Sequence, residues 1–412
     1  MKPSSALTIV MLGPFGLRPR MTMRMRALPL GKALVRRGHT VTLLLPPWQN
    51  PEDAGRVWED EGVQVENVRL PRGVPGWFHW RLTAHLVERV PRLAPDVVHT
   101  FKPKAYAGLA HRALGRRFPV VVDTDDWEGP GGWNALGDYS PLQARFFTWQ
   151  ERWGLRHADV VTVASRALQT LAWSLGGEPE RIVYLPNGVV VPPDARLGAS
   201  VGRPTVLLYT RFFEFGLARL WRLFRHVRGQ RADVRFLVVG QGFQGEETHL
   251  VRMARDAGWS VAMDVAAGPT QGLPDADLIY AGWGTEETLP LWFSAADLAI
   301  YPFDDTLLNR TKCPVKLLDL LAAGVPVVAD AVGQIAEIVV DGKTGVLVDP
   351  GVASSEGIFA EAILALLAAP ERLVRMRTLA REDVARRYAW DELAEVAERA
   401  YAYALRSRGT RG

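Results

Sequence analysis

PVKLLDLLAAGVPVVA, residues 314–329, holds a helix and the start of a strand. Pro314 suits the first position of a helix, where its missing N–H costs nothing. Leu317, Leu320 and Leu321 recur at helical spacing and supply a buried side. Gly324 ends the helix, and Val325–Val328 opens a short branched run that reads as a strand. Outward from this unit the same grammar repeats. Apolar runs stand at Leu7–Leu12, Val41–Leu45, Val97–His99, Val120–Val122, Val160–Val163, Val206–Tyr209, Phe236–Val239 and Leu298–Tyr301. Each is continuous rather than alternating, which suits strands covered on both faces of a parallel sheet. Helix-length segments such as Pro29–Arg37, with Pro29 as its opening residue, and Tyr106–Arg116 lie between them. Strand alternating with helix predicts an α/β fold with doubly wound parallel sheets.

A chain of 412 residues has room for two domains at about 100–200 residues each. The Pro- and Gly-rich stretch Leu185–Pro204 interrupts the pattern and reads as the connection. The expected division is residues 1–190, a linker at 191–204, and a second α/β domain at 205–388. Disorder is expected only after Leu405. Net charge is +4, too small to point to a nucleic-acid partner. Arg18, Arg20, Arg24, Arg26, Lys32, Arg36 and Arg37 nevertheless crowd one stretch, either a solvated face or a rim for phosphates or anionic lipid. A single cysteine, Cys313, excludes a disulfide framework and fits a reducing cytosol. The first apolar run, Ala6–Leu12, is too short for a spanning helix and no small-residue cleavage site follows it, so no signal peptide is expected, and no run reaches the roughly 18–20 residues of a membrane span.

Several stretches carry chemistry. Gly13-Pro14-Phe15-Gly16 follows the first strand, the place where doubly wound sheets bind ligands. Gly240–Gly245 matches GxGxxG, with Asp264 about twenty residues on, and opens a nicotinamide-dehydrogenase reading. Against it, another strand of the same domain precedes this one, whereas the fingerprint belongs to the first. Asp123-Thr124-Asp125-Asp126 ends a strand, either for a metal ion or as an acid facing substrate. Trp127–Trp133 after it reads as a flexible aromatic loop. In Asn309–Asp319, Lys316 occupies the first turn of a helix, where a cation opposes the dipole unless an anion is present. Asp319 shares its face one turn on. Phe78, Leu82, Leu86 and Val90 recur at helical spacing behind Trp77 and Trp80, with Pro91 expected to end that helix. It reads as a core helix, or as one lying at a membrane interface. Motifs of metalloproteases, serine hydrolases and P-loop proteins are absent.

Pro314-x-Lys316-x-x-Asp319 followed by Ala322–Ala329 resembles the C-terminal signature of the group 1 glycosyltransferases, a retaining GT-B family. Arg37–Val41, Ala158–Ser165, Leu185–Val189, Gly240-x-Gly242 and Asp341–Val348 match further motifs of that family in order, over about residues 7–405. The resemblance implies two Rossmann-like domains facing a cleft, with a helix at 389–412 crossing back to the first. It implies transfer of a sugar from a nucleotide diphosphate donor, with no metal and no other cofactor. The donor would sit on the second domain and the glycan or lipid-linked acceptor on the first. The protein would be cytoplasmic, with peripheral contact at the inner membrane face. Carried over by position, Arg211 and Lys316 meet the diphosphate, and Asp319, with Thr311, falls in the nucleotide-binding acid pair. Gly333 and Glu337 lie near the donor sugar, Asp125 near the transferred sugar, and Gly13 and Gly16 form the first-domain loop. The chain departs from the family pattern in three places. Gly216 stands where a lysine is usual, with Lys316, Lys312 or Arg219 as replacements for its charge. Thr311 and Asp319 stand for two glutamates, and Gln334 for a glycine. A sugar-nucleotide-binding protein without turnover is the non-enzyme alternative.

Overall fold

The computed structural model describes residues 6–73, 75–135, 137, 139–192, 202–263, 272–352 and 355–409. Asp264 and residues 193–201 of the linker lie outside them. Two compact units emerge. The first comprises Met1–Gly188, Thr311–Cys313 and Trp390–Gly412; the second comprises Val189–Arg310 and Pro314–Ala389.

The first unit is built on eight strands: β1 (Thr8–Leu12), β2 (Thr40–Leu45), β3 (Val57–Asp60), β4 (Val63–Asn67), β5 (Val97–Phe101), β6 (Val120–Thr124), β7 (Val160–Val163) and β8 (Ile182–Tyr184). Their order is β3-β4-β2-β1-β5-β6-β7-β8. Every pairing is parallel except the edge pair β3–β4. The second unit has β9 (Thr205–Thr210), β10 (Arg235–Gly240), β11 (Val261–Met263), β12 (Leu278–Tyr280), β13 (Leu298–Tyr301), β14 (Val327–Asp330) and β15 (Gly345–Val348). It is wholly parallel, in the order β11-β12-β10-β9-β13-β14-β15. Both sheets wind outward in both directions from their first strand. The crevices at the carboxyl ends of β1 and β9 are therefore the switch points where such folds take ligands.

The central strands β1, β5, β6 and β9 are buried along almost their whole length, as their unbroken apolar runs require. The last helix, Trp390–Gly409, belongs to the core of the first unit. Leu393, Ala394, Ala397, Ala400, Tyr401 and Ala404 recur at three- and four-residue spacing and pack there beside Leu30, Leu34 and Phe101. Tyr401 Oη lies 2.9 Å from His99 Nδ1 on β5. Burial depresses the pKa of His99 to about 4, so this contact is between neutral groups at pH 7. Arg36 and Arg37 pair with Asp391 and Glu398 of the same helix.

Several expectations are corrected. The helix assigned to Pro29–Arg37 begins earlier, because Met23–Ala27 forms a π-helical turn running into Leu28–Arg36. Pro29 has no N–H for the usual i−4 bond, and a wide turn before it tolerates that gap. Pro91 lies inside the helix Pro75–Arg92, which stops one residue later. The tail is helical through Gly409 rather than disordered from Leu405. Finally, the basic stretch is neither a bare rim nor merely solvated. Arg18 pairs with Glu52 and Asp53, Lys32 with Asp60 and Glu61, and Arg26 is fully buried.

Candidate functional site

In the second unit, the turn after β9 holds Arg211, and the next residue, Phe212, is forced to a φ of +66°. A bulky residue pays a steric cost there, offset by its N–H donating to Thr210 Oγ1 at 2.8 Å. Arg211 lies between two aromatic rings. Its guanidinium is 4.6 Å from the Phe243 centroid and 4.7 Å from that of Trp283. Both rings are about half exposed, at 57% and 49%. Arg211 Nε is buried without a hydrogen-bond partner. Cation–π attraction thus fixes the plane of the group while leaving its hydrogen-bonding capacity unspent.

Lys316 reaches the same place from the first turn of Val315–Ala322, with Nζ 5.6 Å from the Tyr209 centroid. Asp319 follows one turn later on the same face. Burial pushes its pKa up to about 7, and Lys316 only partly opposes that. A carboxyl poised near neutrality beside Lys316, with Arg211 acting on the neighbouring Tyr209, marks a site that meets charge. Glu337 is exposed on the short helix Ile335–Ile338. Gly333 adopts φ +52°, and a Cβ there would press on the backbone of Arg310 at 2.5–2.9 Å. That position needs glycine to let the two backbone segments touch.

Arg219 is committed elsewhere. It donates to Asp330 at 2.7 Å and Asp304 at 3.2 Å, while Asp304 also accepts from the N–H of Gly216 at 2.8 Å. Lys312 lies with its ammonium 5.8 Å over the Trp133 ring of the first unit. Lys316 is therefore the replacement cation nearest Asp319.

The GxGxxG turn is filled from within. Gly242 N–H donates to Glu247 at 3.0 Å and Gln244 N–H to Glu246 at 2.8 Å. These carboxylates from the first turn of Glu246–Asp256 occupy the anion seat that a dinucleotide pyrophosphate would need. Gly240 is required by chain contact, since at φ +133° a Cβ would collide with the Thr210 carbonyl.

In the first unit, charge converges at the ends of β5 and β6. Lys102 takes a φ of +55° and brings its ammonium to Asp125 at 2.9 Å, Asp126 at 3.1 Å and Glu128 at 3.2 Å. Lys104 adds an ion pair to Glu128 at 2.5 Å. Burial works against charge on Lys102, but the three carboxylates hold it well above its usual value. Burial likewise opposes charge on Asp125, yet Lys102 and Arg26 keep it ionised. Asp126 is pushed upward by burial and by Asp125. Asp123 does not belong to this group. It receives a two-pronged contact from Arg26 at 2.7 and 2.6 Å and a third from Thr162 at 2.6 Å. The metal reading of the Asp123–Asp126 stretch fails there, since that carboxylate is already spent.

The aromatic loop is not a flexible flap. Trp127 is buried and donates to Pro130 O at 2.8 Å, and Trp133 N–H donates to Trp127 O at 2.9 Å. Gly13 and Gly16 are small for packing reasons as well. A Cβ on them would strike Met23 at 2.7 Å and Asn50 at 2.5 Å. Thr311 is buried, and its carbonyl accepts from Ser165 Oγ at 2.6 Å.

The sequence reading missed Lys102, Lys104, Glu128, Phe243 and Trp283. A Lys-Pro-Lys run after β5 was the available signal for the first two. No local signal distinguishes Phe243 and Trp283 from other loop aromatics.

Comparison with known proteins agrees with this layout. Residues 22–188 match the glycosyl transferase 4-like domain and residues 203–369 the glycosyl transferases group 1 domain. The chain is 30% identical over 372 residues to a GDP-mannose-dependent alpha-(1-6)-phosphatidylinositol monomannoside mannosyltransferase of Mycolicibacterium smegmatis, covering 86% of this chain and 88% of that one. It is 28% identical to a D-inositol 3-phosphate glycosyltransferase of Xylanimonas cellulosilytica, over 77% and 79% of the two chains. Among solved structures, sucrose-phosphate synthase from Thermosynechococcus elongatus superposes with a TM-score of 0.69 at 19% identity, over 97% of this chain and 100% of that one. Two parallel-sheet α/β units, matched in order by both family domains, show that this chain belongs to the group 1 glycosyltransferases of GT-B fold and transfers a glycosyl group from a nucleotide sugar.

Proposed function

We propose that the carboxyl end of β9 is the donor seat of a retaining transferase. Arg211 and Lys316 neutralise the diphosphate, Asp319 accepts from ribose hydroxyls, and Glu337 and Gly333 border the sugar. In the first unit, the family pattern assigns Asp125 to the transferred sugar, and Thr311 with the Gly13 and Gly16 loop to supporting roles. The observation that carries this reading is the meeting of Arg211, Lys316 and Asp319 around Tyr209, two cations and a tunable acid at a switch point. Cations aimed at a departing diphosphate stabilise the charge that develops as the sugar leaves, which is where such catalysis gains most. GDP-mannose is the first donor to test, given the mannosyltransferase relative. An NMR assay of the anomer formed tests retention.

Asp319 gives this reading a pH signature. Its pKa of about 7 means that much of it is protonated at pH 6 and ionised at pH 8. Only the carboxylate accepts from both ribose hydroxyls, so donor affinity should rise across this interval. Loss of one such charge-assisted contact is worth about 1.5–3 kcal/mol. Calorimetric titration of GDP and UDP should show Asp319→Asn binding weakly with its share of the pH slope gone. Unchanged binding in both Asp319→Ala and Lys316→Ala would remove these residues from the donor seat. By linkage, the carboxyl's raised pKa also makes folding stability fall as pH climbs from 3.8 through about 7.

We further propose that the acceptor is lipid-linked and that the first unit meets it at a membrane surface. Among the described residues no helix is long and apolar enough to cross a membrane. Two helices of this unit instead carry exposed large apolar residues. Leu82, Leu86 and Val90 of Pro75–Arg92 are buried, while Trp77 and Trp80 stand 66% and 63% exposed. Leu142, Phe146 and Trp149 are exposed on Pro141–His157, and both helices flank Ala105–Leu114. Exposed arginines 81, 145 and 152 border them. This is the composition of an interfacial surface. The protein should sediment with anionic vesicles at low salt, less at high salt, and less again as Trp77→Ser/Trp80→Ser. Absence of sedimentation at low salt would favour a water-soluble acceptor.

A further inference from the structure

A second groove lies at the opposite edge of the second unit. The helices Leu217–Gln230 and Glu246–Asp256 each lead from the carboxyl edge of the sheet back to its amino edge, as right-handed crossovers must. Their far ends, with Trp259 just before β11, line an open groove of about 740 Å³. That volume is typical of small-molecule sites. Trp221 and Trp259 form its floor, their ring centroids 4.9 Å apart and tilted by 48°. Trp259 is held from behind by stacking on Phe236. Arg228 lies 4.7 Å over Trp259 and is itself pinned to Asp277 at 2.7 Å. Arg225 and Asp256 stand exposed at the walls. Arg225 forms no ion pair among the described residues. At Gly229 a Cβ would meet nothing within 4 Å, so that wall is open.

The chemistry selects the occupant. Arg228 pairs with Asp277, which Arg203 shares while also pairing with Asp275, and Asp256 offsets Arg225 in number, so the groove has no net charge to offer an ion. An anion would also face Asp256 and the negative ends of two helices. A lipid tail would face charged walls. A neutral saccharide satisfies every element, since its C–H faces cover indole while its hydroxyls both donate to Asp256 and accept from Arg225. We propose that this groove is a second, non-catalytic saccharide site, binding a neutral glycan remote from Arg211. It rests on the groove's own chemistry and not on the donor-seat assignment.

Saturation-transfer NMR of the full chain, with excess GDP and UDP present, tests it using α-1,6-mannotriose, maltotriose and mannose 6-phosphate. At least one neutral trisaccharide should bind, and more tightly than the phosphorylated sugar. Arg225→Ala/Asp256→Ala should weaken that binding at least tenfold, as should Gly229→Leu, which narrows the groove without touching the core. Arg211→Ala should leave it unchanged while lowering kcat/KM for glycosyl transfer, so the two assignments fail separately. No binding of either neutral sugar, tenfold preference for the phosphorylated one, or unchanged binding in both groove variants would overturn the assignment.

Discussion

Arg211→Ala is expected to lower kcat/KM for glycosyl transfer about 10²–10³-fold, the usual cost of removing one preorganised partner of developing charge. The departing diphosphate gains charge as the glycosidic bond lengthens, so a cation held in place beforehand acts mainly on the transition state. The aromatic pair supplies that preorganisation, since Phe243 and Trp283 hold the guanidinium at 4.6 and 4.7 Å. Arg211→Lys should recover little, because an ammonium lacks the planar fork that stacks and donates in two directions. Phe243→Ala and Trp283→Ala should cause smaller falls, each about two- to fivefold, as one exposed cation–π contact is worth about 0.5–1 kcal/mol. Steady-state release of nucleotide diphosphate measures all four variants. Thermal unfolding should show little change, since both rings are about half exposed. An Arg211→Ala enzyme within threefold of wild type would sink the assignment.

The largest effect on stability is expected at Arg26. Removing one partner of a buried ion pair costs about 3–5 kcal/mol, because the other charge is left without compensation. Arg26→Ala should sit at the upper end. Besides its two contacts to Asp123, Arg26 donates to Leu185 O at 2.8 Å, Pro186 O at 3.0 Å and Asn187 Oδ1 at 2.9 Å. One side chain therefore ties the helical turn after β1, the end of β6 and the segment after β8. Arg26→Lys should rescue only part, since one ammonium cannot span these acceptors. Arg26→Met/Asp123→Leu should be more stable than Arg26→Ala, because no charge is left buried. Denaturant unfolding monitored by circular dichroism measures the series. A loss under 1 kcal/mol for Arg26→Ala would mean that the clamp is dispensable.

Arg26 also shows where the sequence stops informing. In the chain it is one of seven cations between Arg18 and Arg37, and composition treats them alike. Asp123, its partner, is 97 residues away. Likewise Asp123, Asp125 and Asp126 read as one cluster, but the fold separates them. The strand's final pleat turns Asp123 to Arg26, and the following bend hands the other two to Lys102. The short strands β3, β4, β8, β11, β12 and β15 also escaped the reading. They lie at or next to sheet edges and are only three to five residues long, too few to carry a period.

By itself the sequence determined the two parallel sheets, because strands covered on both faces need continuous apolar runs that can be read one segment at a time. It also determined the helix that delivers Lys316 and Asp319, because their spacing on one face is a local property of three to four residues. The tertiary structure alone decided which charges are spent and which remain available. Arg26 and Arg219 are consumed by Asp123 and Asp330, while Arg211 keeps its hydrogen-bonding capacity between two rings. The reason is physical: desolvation and ion pairing depend on groups brought together across 97 and 111 residues, and no local pattern encodes those distances.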